Sequence, residues 1–135
     1  LEEKPESNND NPDSIWLMRN RLERMDALID DDKYALKDRR NFHLDRYKFA
    51  SKFVKGKEVA DVACGTGYGT RILLESGALK CTGIDIDKKA VFYAQRNHSV
   101  AGSTFINATA QKTTLDSETL DAIVSFETLE HLPFE

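Results

Sequence analysis

The sequence is poor in cysteine, proline and tryptophan, with two, three and one of these in 135 residues. Cys64 and Cys81 stand alone, without a CxxC pair or a histidine at ligand spacing. That argues against a structural zinc site and a disulfide framework, and no metal is expected. No stretch approaches the ~18 consecutive apolar residues of a membrane span. No basic flank followed by an apolar run marks a secretory signal, so a cytoplasmic setting with reduced thiols is expected. Positive charge is not in excess either: 19 Lys and Arg face 23 Asp and Glu. Residues 1–55 are balanced, with 12 charges of each sign, whereas residues 56–135 carry 7 basic and 11 acidic side chains. An acidic surface cannot neutralise a phosphate backbone, so nucleic acid is not an expected partner.

What is present divides into three parts. Residues 1–12 are polar, hold Pro5 and Pro12, and read as a disordered tail. Residues 13–55 read as a helical segment. In its first half Ile15, Met18, Leu22, Met25 and Ile29 recur at spacings of three and four. This stripe is expected to dock on its own domain or on a second copy in a homodimer; two heptads are too few for a coiled coil. Asp30-Asp31-Asp32 opposes the helix dipole and ends that helix. A second helix is expected from Leu36 to Val54, with Phe42, Phe49, Ala50 and Phe53 as its apolar face. Gly56 is suited to its left-handed cap.

From residue 56 onward strands alternate with helices. Strands are expected at 58–63, 79–85, 103–107 and 121–125. Helices are expected at 68–75 and 88–97, weakly at 115–120, and beginning again at 127–132. This alternation describes βαβ units and a parallel sheet.

The chemistry lies in the loop after the first strand, Asp61-Val62-Ala63-Cys64-Gly65-Thr66-Gly67-Tyr68-Gly69. Glycines at a strand-to-helix turn let a ligand approach the main chain at the carboxyl end of a sheet. The dinucleotide fingerprint needs GxGxxG/A, but Thr70 stands at its third position and the third glycine is Gly69. A nicotinamide-dependent oxidoreductase is therefore disfavoured. About 20 residues on, Gly83-Ile84-Asp85-Ile86-Asp87 closes the second strand, where a carboxylate can accept the hydroxyls of a ribose. Asp87 either caps the next helix or meets a ligand.

Val59 to Gly69 resembles the first motif of class I, Rossmann-like S-adenosylmethionine-dependent methyltransferases. Leu120-Asp121-Ala122-Ile123-Val124-Ser125-Phe126-Glu127-Thr128-Leu129-Glu130-His131-Leu132 is similar to the fourth strand and turn of their small-molecule (type 11-like) branch. The resemblance covers about residues 40–135. It implies an α/β fold: a Rossmann-like doubly wound parallel sheet preceded by N-terminal helices. Four N-terminal strands are present, and the C-terminal half of the sheet is expected to be missing from this chain.

The resemblance also implies S-adenosylmethionine as cofactor and S-adenosylhomocysteine as product, with methyl transfer to a small-molecule acceptor such as a sugar, lipid or metabolite. The implied cofactor residues are Asp61, Ala63, Cys64, Gly65, Thr66 and Gly67, with Asp85 on the ribose and Ile86 on the adenine face. Ala110 and Gln111 would meet the base through their backbone, and Phe126 lies in the turn on the cofactor side. Many relatives have an acid where this chain has Thr109, which could accept one hydrogen bond from the adenine amine. Arg46 and Tyr47, on the same helix as His43, either cover the methionine carboxylate or are a solvated arginine and a partly buried tyrosine. Glu127 and His131 are the candidate catalytic residues. His131 is either a general base or a packed histidine. The His-x-x-Glu-His metal pattern fails because Glu127 stands at its first position. Cys64 would be a nucleophile only in an activating environment. A non-catalytic cofactor-binding or assembly module is the alternative.

Overall fold

The computed structural model describes residues 37–133, together with Pro12. The tail, the Ile15–Ile29 stripe and any dimer contact it makes lie outside the described residues. So do the side chains of residues 37–40 and of His131.

Helix α1 spans Lys37–Ala50 and runs into a single 3-10 turn, Ser51–Phe53. There follow β1 (Glu58–Val62), α2 (Tyr68–Glu75), β2 (Lys80–Asp85), α3 (Lys88–Asn97), β3 (Ser103–Asn107) and β4 (Ala122–Ser125). A 3-10 turn at Leu129–His131 stands where the sequence suggests the start of a helix. All strands are parallel and their order is β3-β2-β1-β4. The chain moves outward from β1 to β3 and then returns to the other side of β1. Ligands bind where a doubly wound sheet reverses direction in this way. Asp121 does not join β4. Its N–H bonds the Glu58 carbonyl and its carboxylate accepts the Glu58 N–H, so it pins the strand starts together instead.

Alternation along β1 assigns each face a partner. Val59 points with Cys81 and Val124 toward α1 and α2, where Tyr47, Ala50, Val54, Tyr68 and Leu73 complete the core. Ala60 and Val62 point with Ile84 to the opposite face. The sequence suggests a weak helix at 115–120 to cover that face. It is irregular instead, with Thr114 and Glu118 at positive φ, and its Leu115 and Leu120 still pack there beside Ala108 and Ala110. Hydrophobic demand is met without helical periodicity.

The expected apolar face of α1 holds at Ala50 and is corrected at its phenylalanines. Phe42, Phe49 and Phe53 are 55%, 59% and 56% exposed, whereas Tyr47, Ala50 and Val54 are buried. Two stripes compete here, and the one that carries Tyr47 is buried. The Tyr47 hydroxyl has a buried carboxylate to bond, and nothing equivalent awaits a phenylalanine. The outward rings are covered in part: the Arg46 guanidinium lies 4.0 Å over Phe42, and Phe49 meets Phe53 edge-on at 5.3 Å.

Leu73 is fully buried between α2 and the sheet, whereas Leu79 is largely exposed. Leu73→Ala is therefore expected to destabilise the fold by about 2–5 kcal/mol, the usual range for a core leucine. Leu79→Ala should change it by less than ~1 kcal/mol. Denaturant unfolding of the two variants checks the contrast.

Candidate functional site

Two buried carboxylates organise the carboxyl end of the sheet. Asp61, near the end of β1, has no solvent exposure. It accepts the Tyr47 hydroxyl at 3.0 and 3.2 Å and the Thr70 hydroxyl at 2.8 Å. Burial pushes its carboxyl up to about 6; the Thr70 and Tyr47 hydrogen bonds oppose that rise, and the charge of Asp85 adds to it. Burial, and then the charge of Asp61, holds the Tyr47 phenol well above its ordinary value, so it stays a donor.

The glycine pattern follows from this cluster. Gly69 lies in the first turn of α2 with the Tyr47 ring against its backbone, and a Cβ there would fall inside the ring. The third glycine of GxGxG thus makes room for the Tyr47–Asp61 bond. Thr70, which breaks the dinucleotide fingerprint, is the second donor to Asp61. Gly67, at φ 89°, is the N-cap of α2. A Cβ on it would come within 2.6 Å of the Ala94 Cβ and 2.9 Å of the Phe105 ring, so a side chain there would separate the loop from α3 and β3.

Asp85, at the end of β2, is the second carboxylate and is 4% exposed. Its Oδ2 accepts the Gly65 N–H at 2.8 Å and its Oδ1 the Asp87 N–H at 2.9 Å. It thereby ties the glycine loop to the end of β2. Asn107, which sequence reasoning passed over, holds the same region from β3. Its amide donates to the Asp85 and Ile86 carbonyls at 2.9 Å each. A polar side chain closing one parallel strand beside the acid of the next was the available signal. Asp87 is a helix cap, accepting the Lys89 N–H at 2.9 Å.

A cleft of about 410 Å³ opens between the ends of β1, β2, β3 and β4. Of the residues expected at the site, Ala63, Asp85, Ile86, Ala110, Gln111 and Glu127 line it, joined by Thr109 and Thr128. Asp61, Cys64, Gly65, Thr66, Gly67, Phe126, Arg46 and Tyr47 do not line it. Tyr47 packs edge-on against Tyr68 and Phe126 at 5.6 and 5.3 Å. Burial, with the charges of Asp61 and Asp85, pushes the Cys64 thiol well above its ordinary value, so nothing activates it as a nucleophile. Among the described residues no cluster of His, Cys, Asp and Glu could hold a metal ion. Nor is any helix there long and apolar enough to cross a membrane.

Two non-glycine residues that line the cleft have positive φ: Ala63 at 63° after β1 and Glu127 at 54° after β4. Such conformations cost on the order of 1–3 kcal/mol and gather at functional sites. Glu127 is held by Arg46, whose guanidinium nitrogen lies 2.7 Å from its carboxylate. The pair ties α1 to the turn after β4. The other terminal nitrogen of Arg46 is buried with no hydrogen-bond partner.

Residues 59–135 match the family described as a methyltransferase domain. The chain belongs to that family. It is 31% identical over 75 residues to a fatty-acid O-methyltransferase of Mycolicibacterium smegmatis, covering 55% of this chain and 27% of the relative. It is 36% identical over 83 residues to a ubiquinone biosynthesis O-methyltransferase of Coxiella burnetii, covering 59% and 35%. The chain thus spans about a third or less of the length of these curated relatives. A solved S-adenosylmethionine-dependent methyltransferase from Mesorhizobium loti superposes with a TM-score of 0.52 at 26% identity, covering 59% of this chain and 38% of that one. The Rossmann-like parallel sheet read from the sequence is the fold of this methyltransferase domain.

The raised Asp61 carboxyl has a consequence for stability. Its folded value, about 6, lies above its ordinary 3.8. Its contribution is then fully present below that ordinary value and is lost as the pH rises through about 6. Asp61→Asn is neutral throughout and lacks this loss. Between about pH 4 and 7 the parent should lose on the order of 2–3 kcal/mol relative to the variant. Chemical unfolding across pH measures the difference, and parallel curves would contradict it.

Proposed function

We propose that this methyltransferase domain binds S-adenosylmethionine in the cleft at the strand ends and transfers its methyl group to a small-molecule acceptor. The observation that carries the reading is Asp85, a nearly buried carboxylate at the end of β2 that lines the cleft beside Ile86. Asp85 already accepts the Gly65 and Asp87 N–H groups, and a carboxylate at such a strand end is the group that meets ribose hydroxyls in folds of this type. Ile86, 72% exposed, offers an apolar surface to an adenine face. Ala110 and Gln111 stand at the base end, and Gly65 and Gly67 carry the loop past the sugar. Asp61, closed off by Tyr47 and Thr70, shapes that loop from behind.

Bound S-adenosylmethionine would supply an electrophilic methyl on a positively charged sulfur. The chain's part is to hold, orient and screen. Asp85 gives the cleft an acidic lining, which favours a cation, while the charge of Glu127 is balanced by Arg46. Arg46, which pairs with Glu127 of the cleft lining, is proposed to offer its second guanidinium nitrogen to the methionine carboxylate. Positioning the acceptor in line is most of the work in such a transfer. The relatives named for oxygen methylation support an oxygen acceptor, such as a lipid, sugar or metabolite hydroxyl or carboxylate. A hydroxyl must shed a proton, and His131 or Glu127 is proposed to receive it. The two buried free cysteines suit a cytoplasmic setting.

Calorimetric titration with S-adenosylhomocysteine should show micromolar binding, with none for NADH. Asp85→Ala should weaken that binding on the order of 10–100-fold, the worth of hydrogen bonds to a charged group. Unchanged affinity in a variant that still folds would remove Asp85 from the ribose site.

A further inference from the structure

The charged lining of the cleft is confined to the ends of β2 and β4, where Asp85 and Glu127 stand. The segment leaving β3 lines it with Ala108, Thr109, Ala110 and Gln111, which carry no charge. The Thr109 hydroxyl is held in place by a turn: its Oγ1 accepts the Lys112 N–H at 3.0 Å, and that N–H also lies 3.2 Å from the Thr109 carbonyl. One lone pair is thereby engaged, and the proton and the second lone pair remain. The hydroxyl is therefore not restricted to accepting a bond from an amine. The Gln111 amide has the same two-sided character, with donors on its nitrogen and an acceptor on its oxygen.

We propose that Thr109 makes the base end of the cleft tolerant at the 6-position of a purine. The inference rests on the cofactor reading above, which puts the ribose at Asp85 and the base against Ile86, Ala110 and Gln111, with Thr109 in the same stretch of the lining. Adenine presents a ring nitrogen that accepts and an amine that donates. Hypoxanthine presents an oxo group that accepts and a ring N–H that donates. A carboxylate at position 109 would accept from the amine and repel the oxo group. A hydroxyl that can donate or accept meets either edge, and discrimination is strong only where the wrong edge leaves a buried polar group unpaired. Thr109 is thus a specificity-determining residue whose effect is to relax selection.

The test is calorimetric titration of the full chain with S-adenosylhomocysteine and with S-inosylhomocysteine. The two affinities should lie within about 10-fold of each other, because a neutral hydroxyl adapts to both. In Thr109→Asp the ratio should widen beyond ~100-fold in favour of the adenosyl compound, since a charged acceptor demands a donor. Thr109→Val should weaken both ligands alike. A parent that prefers the adenosyl compound by ~100-fold or more would overturn the inference while leaving the cofactor reading intact. Failure of the adenosyl compound to bind the parent would overturn both. The comparison in the parent decides the matter even if the aspartate variant does not fold.

Discussion

A carboxylate with no access to water, bonded by two hydroxyls from different helices, is the constraint on which this end of the molecule depends. Asp61 sits in the central part of the sheet, where an unpaired charge would be strongly disfavoured. Tyr47 reaches it from α1 and Thr70 from α2. Those two bonds fix which face of α1 turns inward and how α2 leaves β1. They also account for the residue at position 69, because a Cβ there would occupy the space of the Tyr47 ring. The sequence pattern that distinguishes this loop from a dinucleotide fingerprint is, physically, the footprint of Tyr47.

Behind Asp61 the packing is apolar and ordinary; in front of it lies the cleft. Asp85 joins the two regions. It holds the Gly65 and Asp87 N–H groups while its strand end faces the cavity. Asn107 secures that strand end from the neighbouring strand. The loop, the end of β2 and the end of β3 therefore form one hydrogen-bonded rim. Arg46 and Glu127 close it on the remaining side, through an ion pair that crosses from α1 to the turn after β4.

The legible parts of the sequence were those in which one local rule dominates. The bounds of α2, α3 and β3 follow from caps, glycines and alternation, and they agree with the structure residue for residue. Asp85 and Ile86 were legible because the end of a strand, about 20 residues past a glycine turn, can face little other than the crevice. The inward face of α1 was not. Phe42, Phe49 and Phe53 form as good a stripe as the one that is buried, and the choice was made by a hydrogen bond to a residue on another element. The segment between β3 and β4 was equally opaque, because it buries Leu115 and Leu120 without a helix to give them a period. Asp61 was legible as part of its motif, but its partners were not, because Tyr47 and Thr70 reach it from two separate helices.

The central claim is that the Tyr47–Asp61 contact dictates the glycine at position 69, and a mutant cycle in stability tests it most directly. An alanine in the first turn of a helix ordinarily stabilises relative to glycine, by about 0.5–1 kcal/mol. Gly69→Ala in the parent should instead destabilise by about 1–3 kcal/mol, because the added methyl overpacks the Tyr47 ring. In a Tyr47→Ala background the same change should become neutral or stabilising. An equal cost in both backgrounds would contradict the account.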